Sequence, residues 1–293
     1  MAEGSSNRLT RREFLREGAV VAANLALSAL PHTATAQEQP PPPRKLKQVV
    51  TWGIISRIPP AQAFAELKRI GFHGVEMAPR SLWDDIRAAG LRIATIVGHG
   101  SLTDGLNRKQ NHNRIEDELR HNIDLAAQYD IPVLICFSGN RRGISDEEGI
   151  ANCVEGLKRV APYAEQKGIT LAMELLNSKV DHPDYQCDRS WWGVEVCKRV
   201  GSPRVKLLYD VYHMQIMEGD LIRTIRTHIQ HIAHFHTAGN PGRRDPDETQ
   251  EIYYPAVMRA IKELRFEGYI GHEFGPKGAP IEALRRAYQT CDV

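Results

Sequence analysis

The chain has little that would brace a fold covalently or hold it in a bilayer. Its five cysteines (Cys136, Cys153, Cys187, Cys197 and Cys291) contain no C-x-x-C pair, so neither a zinc ribbon nor a disulfide scaffold is indicated. Spacing leaves open whether Cys187 and Cys197 pair. Charge of one sign is also lacking: 38 basic against 36 acidic residues leave a net charge of +2, too small a surplus to drive nucleic-acid binding. The one long apolar stretch, Gly18–Leu30, is too short for a stable membrane span, which takes about 20 residues. What remains is ordinary for a globular protein: 42% hydrophobic and 25% charged residues over 293 positions, enough for a sizeable core in one large domain or two small ones.

The first 36 residues read as an address. Thr10-Arg11-Arg12-Glu13-Phe14-Leu15-Arg16 is a twin-arginine pattern, the apolar run follows, and Ala34-Thr35-Ala36 supplies an A-x-A cleavage signal. In that order they form a bacterial twin-arginine (Tat) export signal, which places the mature protein in the periplasm or outside the cell. Export by this route moves folded protein, so a chosen cofactor can be loaded beforehand. Residues 37–46 hold four consecutive prolines and form an extended linker. Residues 47–293 are then the folded domain.

In that domain short apolar runs alternate with helix-like segments. The expected strands are Val49–Ile54, Gly74–Met77, Arg92–Val97, Val133–Phe137, Thr170–Leu175, Val205–Asp210, His231–His236 and Tyr269–Phe274. Between them Ile115, Leu119, Ile123 and Ala126 recur on one face of a helix over Arg114–Tyr129. Leu221, Ile225 and Ile229 repeat the pattern, as do Val257, Ile261 and Leu264. Gly71, Gly90, Gly168 and Gly268 are expected to end helices before the next strand. Eight strand–helix units predict an α/β fold of the (β/α)₈ TIM-barrel type. A doubly wound sheet would also alternate. However, the turn after the first strand, Ile55-Ser56-Arg57-Ile58-Pro59-Pro60, has no glycine-rich phosphate loop.

Barrel chemistry sits at the C-terminal ends of the strands. Four consecutive expected strands end in Glu174, Asp210, His236 and Glu273. Three carboxylates crowded at one mouth would repel one another, and a divalent cation resolves the repulsion. Three oxygen donors and one imidazole suit Mn²⁺, Mg²⁺ or Co²⁺ better than structural zinc. His234 shares the parity of His236, so both can face inward, and His236 is preferred because it lies nearer the mouth. Glu76 and His99 end the second and third strands and point to the mouth by position. Trp52, at the end of the first, offers a ring to stack on a sugar face or to pack in the core.

Met173-Glu174-Leu175-Leu176-Asn177, Tyr209-Asp210-Val211-Tyr212-His213-Met214 and the run from His234 through Ala238-Gly239-Asn240-Pro241-Gly242-Arg243 resemble the hydroxypyruvate isomerase family. That family belongs to the xylose isomerase-like TIM barrels, beside the ketose 3-epimerases. The likeness spans Lys47 to Val293 and is nearest to an exported, Tat-signalled branch. The resemblance implies that Glu174, Asp210, His236 and Glu273 bind one divalent metal, and that Glu174 and Glu273 exchange the substrate proton. It also implies that His213 and Arg243 hold substrate oxygens, with adjacent Arg244 a rival. The family's Pro-Gly-x-Gly turn after the arginine is absent here, where the chain reads Arg243-Arg244-Asp245-Pro246-Asp247.

The implied chemistry is aldose–ketose interconversion of a small carbohydrate or hydroxy-keto acid through a metal-bound enediolate. Returning the proton to the other face of the same carbon gives a ketose 3-epimerase. A 3-keto-glycoside epimerase or lyase would use the same apparatus. Two other classes are less well matched. A three-zinc nuclease of the same superfamily needs more ligands and a DNA-binding face, and a non-catalytic periplasmic sugar-binding barrel has no need of both glutamates. Barrels of this kind often form homo-oligomers, and no patch in the sequence is diagnostic of one.

Overall fold

The computed structural model describes residues 45–293; the expected export signal and most of the expected linker lie outside the described residues. Nine strands form one all-parallel sheet: β1 (Lys47–Thr51), β2 (Gly74–Glu76), β3 (Arg92–Ile93), β4 (Thr95–Val97), β5 (Val133–Cys136), β6 (Thr170–Glu174), β7 (Val205–Asp210), β8 (Ile232–Thr237) and β9 (Tyr269–His272). Their order is β3-β2-β1-β9-β8-β7-β6-β5-β4. The two ends of that order are halves of one stave, interrupted at Ala94. β3 pairs with β2 and β4 pairs with β5. Bonds from Ala94 N to Val75 O (2.9 Å) and from Met77 N to Thr95 O (2.9 Å) carry the ladder across the break. The barrel is therefore eight-staved, as expected, with the third stave split.

Helices surround the barrel, and their apolar faces build the main core. Ile115, Leu119, Ile123 and Ala126 are all buried on helix His112–Tyr129. Leu221 and Ile225 are buried on Leu221–His228, and Val257 and Ile261 on Tyr254–Glu263. Gly71 and Gly168 take the left-handed cap conformation after their helices. Gly268 does not. Helix Tyr254–Glu263 is instead followed by Arg265 at φ +56°. At Gly268 a Cβ would lie 2.4 Å from the Ala233 carbonyl oxygen, so close approach, not capping, requires glycine there.

The first strand also ends earlier than its sequence implies. β1 stops at Thr51, and Trp52–Ile55 turns into a short helix. All five cysteines are buried and free, so Cys187 and Cys197 form no disulfide. Among the described residues no helix is long and apolar enough to cross a membrane.

Candidate functional site

At the C-terminal ends of β6 to β9 the chain gathers Glu174, Asp210, His236 and Glu273. One ligand atom from each lies within 4.8 Å of all the others. The fold delivers them by simple means. Asp210 ends β7 and caps the helix Val211–Met217. Its Oδ1 accepts from the backbone N–H groups of Tyr212 (2.8 Å) and His213 (3.2 Å). That leaves Oδ2 buried and without a hydrogen-bond partner. His236 faces Asp210 across the β7–β8 ladder. Its Nδ1 stands 3.2 Å from Glu174 Oε1 and 3.1 Å from Glu273 Oε2. Glu273 follows β9, tied by its N–H to the Thr237 carbonyl.

The electrostatics are those of a site with too much negative charge. Burial, reinforced by Glu273 and Asp210, raises the Glu174 carboxyl above its ordinary range despite the nearby His236. Burial likewise pushes Asp210 up to about 6, although Arg243 and His236 pull against it. Glu273 is the exception. Burial is outweighed by His236 and Arg243, which hold it down at about 2. His236 is raised by Glu76 and Glu273 in spite of burial.

This donor set fits a divalent cation. Opposite oxygen ligands of a small octahedral cation stand about 4.2 Å apart, so four atoms within this spread have room for one ion among them. The orphaned Asp210 Oδ2 would gain a partner, and the penalty on ionising Glu174 and Asp210 would fall.

Two further expected residues reach the cluster. His213 is fully buried. Its Nδ1 faces the Asn177 backbone N–H (3.2 Å) and the Asn177 Nδ2 amide (2.6 Å). The Asn177 Oδ1 accepts from Val180 N and Asp181 N, which fixes the amide so that Nδ2 donates. His213 is thus the neutral tautomer with its proton on Nε2, an unpartnered atom 3.7 Å from Asp210 Oδ2. Burial, with Arg243 nearby, lowers its pKa to about 2. Arg243 places Nη2 2.6 Å from Glu273 Oε2 and lies over the Tyr212 ring. The adjacent Arg244 is exposed, so position favours Arg243 over its rival.

Three other candidates contribute no atom to the four-residue cluster. Both ring nitrogens of His99 are taken by backbone: Nε2 accepts from Phe137 N (3.0 Å) and Nδ1 donates to Gly100 O (3.1 Å). Burial lowers its pKa to about 4, which keeps it neutral in this tether between neighbouring staves. Trp52, on the short helix after β1, packs against Phe64 with ring centroids 6.2 Å apart. Glu76 is completely buried beneath the cluster. It meets His234 Nε2 at 2.8 Å and His236 Nε2 at 3.4 Å, and accepts from Thr95 Oγ1 at 3.1 Å.

Among the described residues His234 and His236 both meet Glu76 inside the barrel, and His236 is the one grouped with the three carboxylates. Sequence reasoning missed Asp181, which accepts from Tyr212 Oη (2.8 Å) and from Asn177 Nδ2 (2.6 Å) and so braces His213 from behind. Its signal was slight: an acidic residue four positions after Asn177.

A parallel eight-staved barrel with this candidate cation cluster at its mouth defines a class, the TIM barrels. Residues 64–291 match the xylose isomerase-like TIM barrel family, and the chain belongs to it. A putative hydroxypyruvate isomerase of Danio rerio is 30% identical over 187 residues, 60% of this chain and 68% of that protein. A 2-oxo-tetronate isomerase of Cupriavidus necator is 35% identical over 134 residues, 46% of this chain and 51% of the relative. The chain thus spans about half to two thirds of the length of the curated relatives it matches. Among solved structures, a family 2 AP endonuclease from Brucella melitensis superposes with a TM-score of 0.71 at 24% identity, covering 82% of this chain and 97% of the other. At that identity the likeness concerns the fold alone. Structures called ketose and keto-glucoside epimerases share the fold too. With relatives of this kind the chain is an enzyme of the isomerase class.

Proposed function

We propose that the protein is a divalent-cation-dependent isomerase of a small hydroxy-keto acid or ketose, acting as hydroxypyruvate isomerase does. One observation carries this reading: two glutamates, an aspartate and a histidine converge within 4.8 Å at the barrel mouth. Glu174, Asp210, His236 and Glu273 would hold Mn²⁺, Mg²⁺ or Co²⁺. The ion supplies Lewis acidity toward adjacent carbonyl and hydroxyl oxygens.

The chain's own residues do the rest. Glu174 or Glu273 takes the proton from the carbon beside the carbonyl, and the proton returns to the neighbouring carbon. The free His213 Nε2–H donates to a substrate oxygen, since its other nitrogen is held by Asn177. Arg243 holds Glu273 ionised and offers its remaining guanidinium N–H groups to a carboxylate or hydroxyl. Burial of Asp210 and His213 keeps water from competing for these groups.

A second reading has a specific motive. The chain after Arg243 lacks the family's glycine turn, and Asp245 is buried there between Arg286 and the Lys277 backbone N–H. A differently built loop over the mouth would change the substrate, and epimerisation of a ketose or 3-keto glycoside uses the same two glutamates. The twin-arginine signal in residues 1–36 supports work outside the cytoplasm, where an oxidised or free sugar is a better-matched substrate than hydroxypyruvate. Finding the unprocessed protein in the cytoplasmic fraction would remove that preference.

The deciding experiment is solvent deuterium incorporation into hydroxypyruvate, ketohexoses and 3-keto glucosides, with Mn²⁺ or with chelator, for wild type and Glu174→Gln. Metal-dependent exchange that the variant loses is expected, and the compound that exchanges identifies the substrate class. Exchange that survives chelation would contradict the reading, and absence of exchange in every compound would favour a binding barrel.

A further inference from the structure

Glu76 ends a strand, as the four cluster residues do, yet it never reaches the mouth. It crosses the barrel interior underneath. β2 and β8 are separated by two staves, β1 and β9, so a β2 side chain meets a β8 histidine only if the staves between leave space. β9 leaves it at Gly271, which pairs with His236 in the ladder. A Cβ built on Gly271 would lie 2.0 Å from Glu76 Oε1 and 2.9 Å from His236 Cδ2. The space a side chain would fill is occupied by the contact of Glu76 with His236. Gly271 has no left-handed φ, so backbone conformation does not demand glycine here.

The two nitrogens of His236 are divided. Nδ1 faces Glu174 and Glu273, whereas Nε2 faces Glu76 Oε1 at 3.4 Å. Neither Nε2 nor Glu76 Oε1 has a hydrogen-bonding partner, and both atoms are buried. Glu76 Oε2 is held by Thr95 Oγ1 at 3.1 Å. An imidazole that binds a cation through one nitrogen is regularly oriented through the other by a carboxylate, and losing that partner typically costs about 10- to 100-fold in metal affinity.

We infer that Glu76 is the positioning residue of the cation site: reaching through the gap at Gly271, it fixes the tautomer and ring orientation of His236 so that Nδ1 stays directed at Glu174 and Glu273. This rests on the proposed cation dependence and deepens it. It also replaces the expectation that Glu76 contacts substrate.

The test is equilibrium titration with Mn²⁺ of wild type, Glu76→Gln, Glu76→Leu and Gly271→Ala, with Co²⁺ absorption spectra and the melting temperature of each cation-free protein. Leu keeps the volume of the side chain and Gln keeps an acceptor. In Gly271→Ala every ligand side chain is kept, but the new methyl crowds the Glu76 carboxylate and the edge of the His236 ring, at the contact between them. Affinity should fall in the order wild type, Gln, Leu, by about 10- to 100-fold for Leu. Gly271→Ala should resemble Leu, and the Co²⁺ spectrum should shift in both. Cation-free melting temperatures should not follow that order, as they would for a purely structural role.

Wild type binding one ion while all variants bind it equally would overturn the inference and leave the cation-dependent reading intact. Wild type binding no ion would overturn both. Two ions per wild-type chain would also overturn the inference, since Glu76, His234 and His236 would then hold a cation themselves.

Discussion

His236 separates two environments inside one barrel. On the Nδ1 side stand Glu174, Glu273 and Asp210, with the Glu273 side chain 26% exposed and Arg243 alongside. On the Nε2 side stand Glu76, His234 and Thr95, all fully buried. The first set holds three carboxylates against one arginine and one imidazole. The second holds a single carboxylate, with a ring nitrogen of His234 at 2.8 Å and one of the shared His236 at 3.4 Å. A buried charge persists only when it is compensated. On the proposed reading the mouth is therefore where a cation from outside would be held, and the floor is not. The comparison predicts one ion per chain, and it separates residues that should bind it from residues that should orient a ligand.

Breaking the mouth should have the largest effect. Glu174→Gln and Asp210→Asn should each lower turnover by roughly 10²- to 10⁴-fold, measured as solvent isotope exchange. In Asp210→Asn the new side chain can still cap the helix, so the fold should hold and the loss should reflect the missing charge. Next come the groups that serve substrate. Arg243→Lys and His213→Gln should reduce kcat/KM on the order of tenfold to a hundredfold while leaving Mn²⁺ affinity close to wild type. A smaller effect, on stability alone, is expected at His99. His99→Leu leaves the half-buried Phe137 N–H without its acceptor and should cost about 1 kcal/mol in denaturant unfolding.

The mouth should also show a pH signature. Asp210 is raised from 3.8 to about 6, chiefly by burial. A raised carboxyl pKa stabilises the fold fully below the unfolded value, and that contribution is lost as pH rises through the folded value. Cation-free wild type should therefore lose melting temperature relative to Asp210→Asn as pH rises from about 4 to about 6. Added Mn²⁺ should remove most of the difference at the upper end. A flat difference across that window would argue that Asp210 is not penalised by its site.

Most of the mouth was legible because strand ends are. Glu174, Asp210, His236 and Glu273 each follow an apolar run of a parallel strand, and a barrel brings such positions together. The choice of His236 over His234 followed from depth along one strand. Misplaced expectations arose where a neighbouring element intervenes. Glu76 ends its strand but bends inward, because glycine at 271 two staves away leaves room. His99 is captured by the backbone of the next stave, a partner 38 residues distant in sequence. Trp52 was assigned to a strand that turns helical at that residue. The break at Ala94 escaped notice because an alanine in an apolar run carries no signal of its own.

The central claim is a single cation held by four residues at the mouth. Its most direct test is equilibrium Mn²⁺ titration of the wild-type protein beside Asp210→Asn, with bound metal counted after gel filtration. One ion per wild-type chain, absent from the variant under the same conditions, is the predicted result. Binding of equal affinity in both proteins would contradict it.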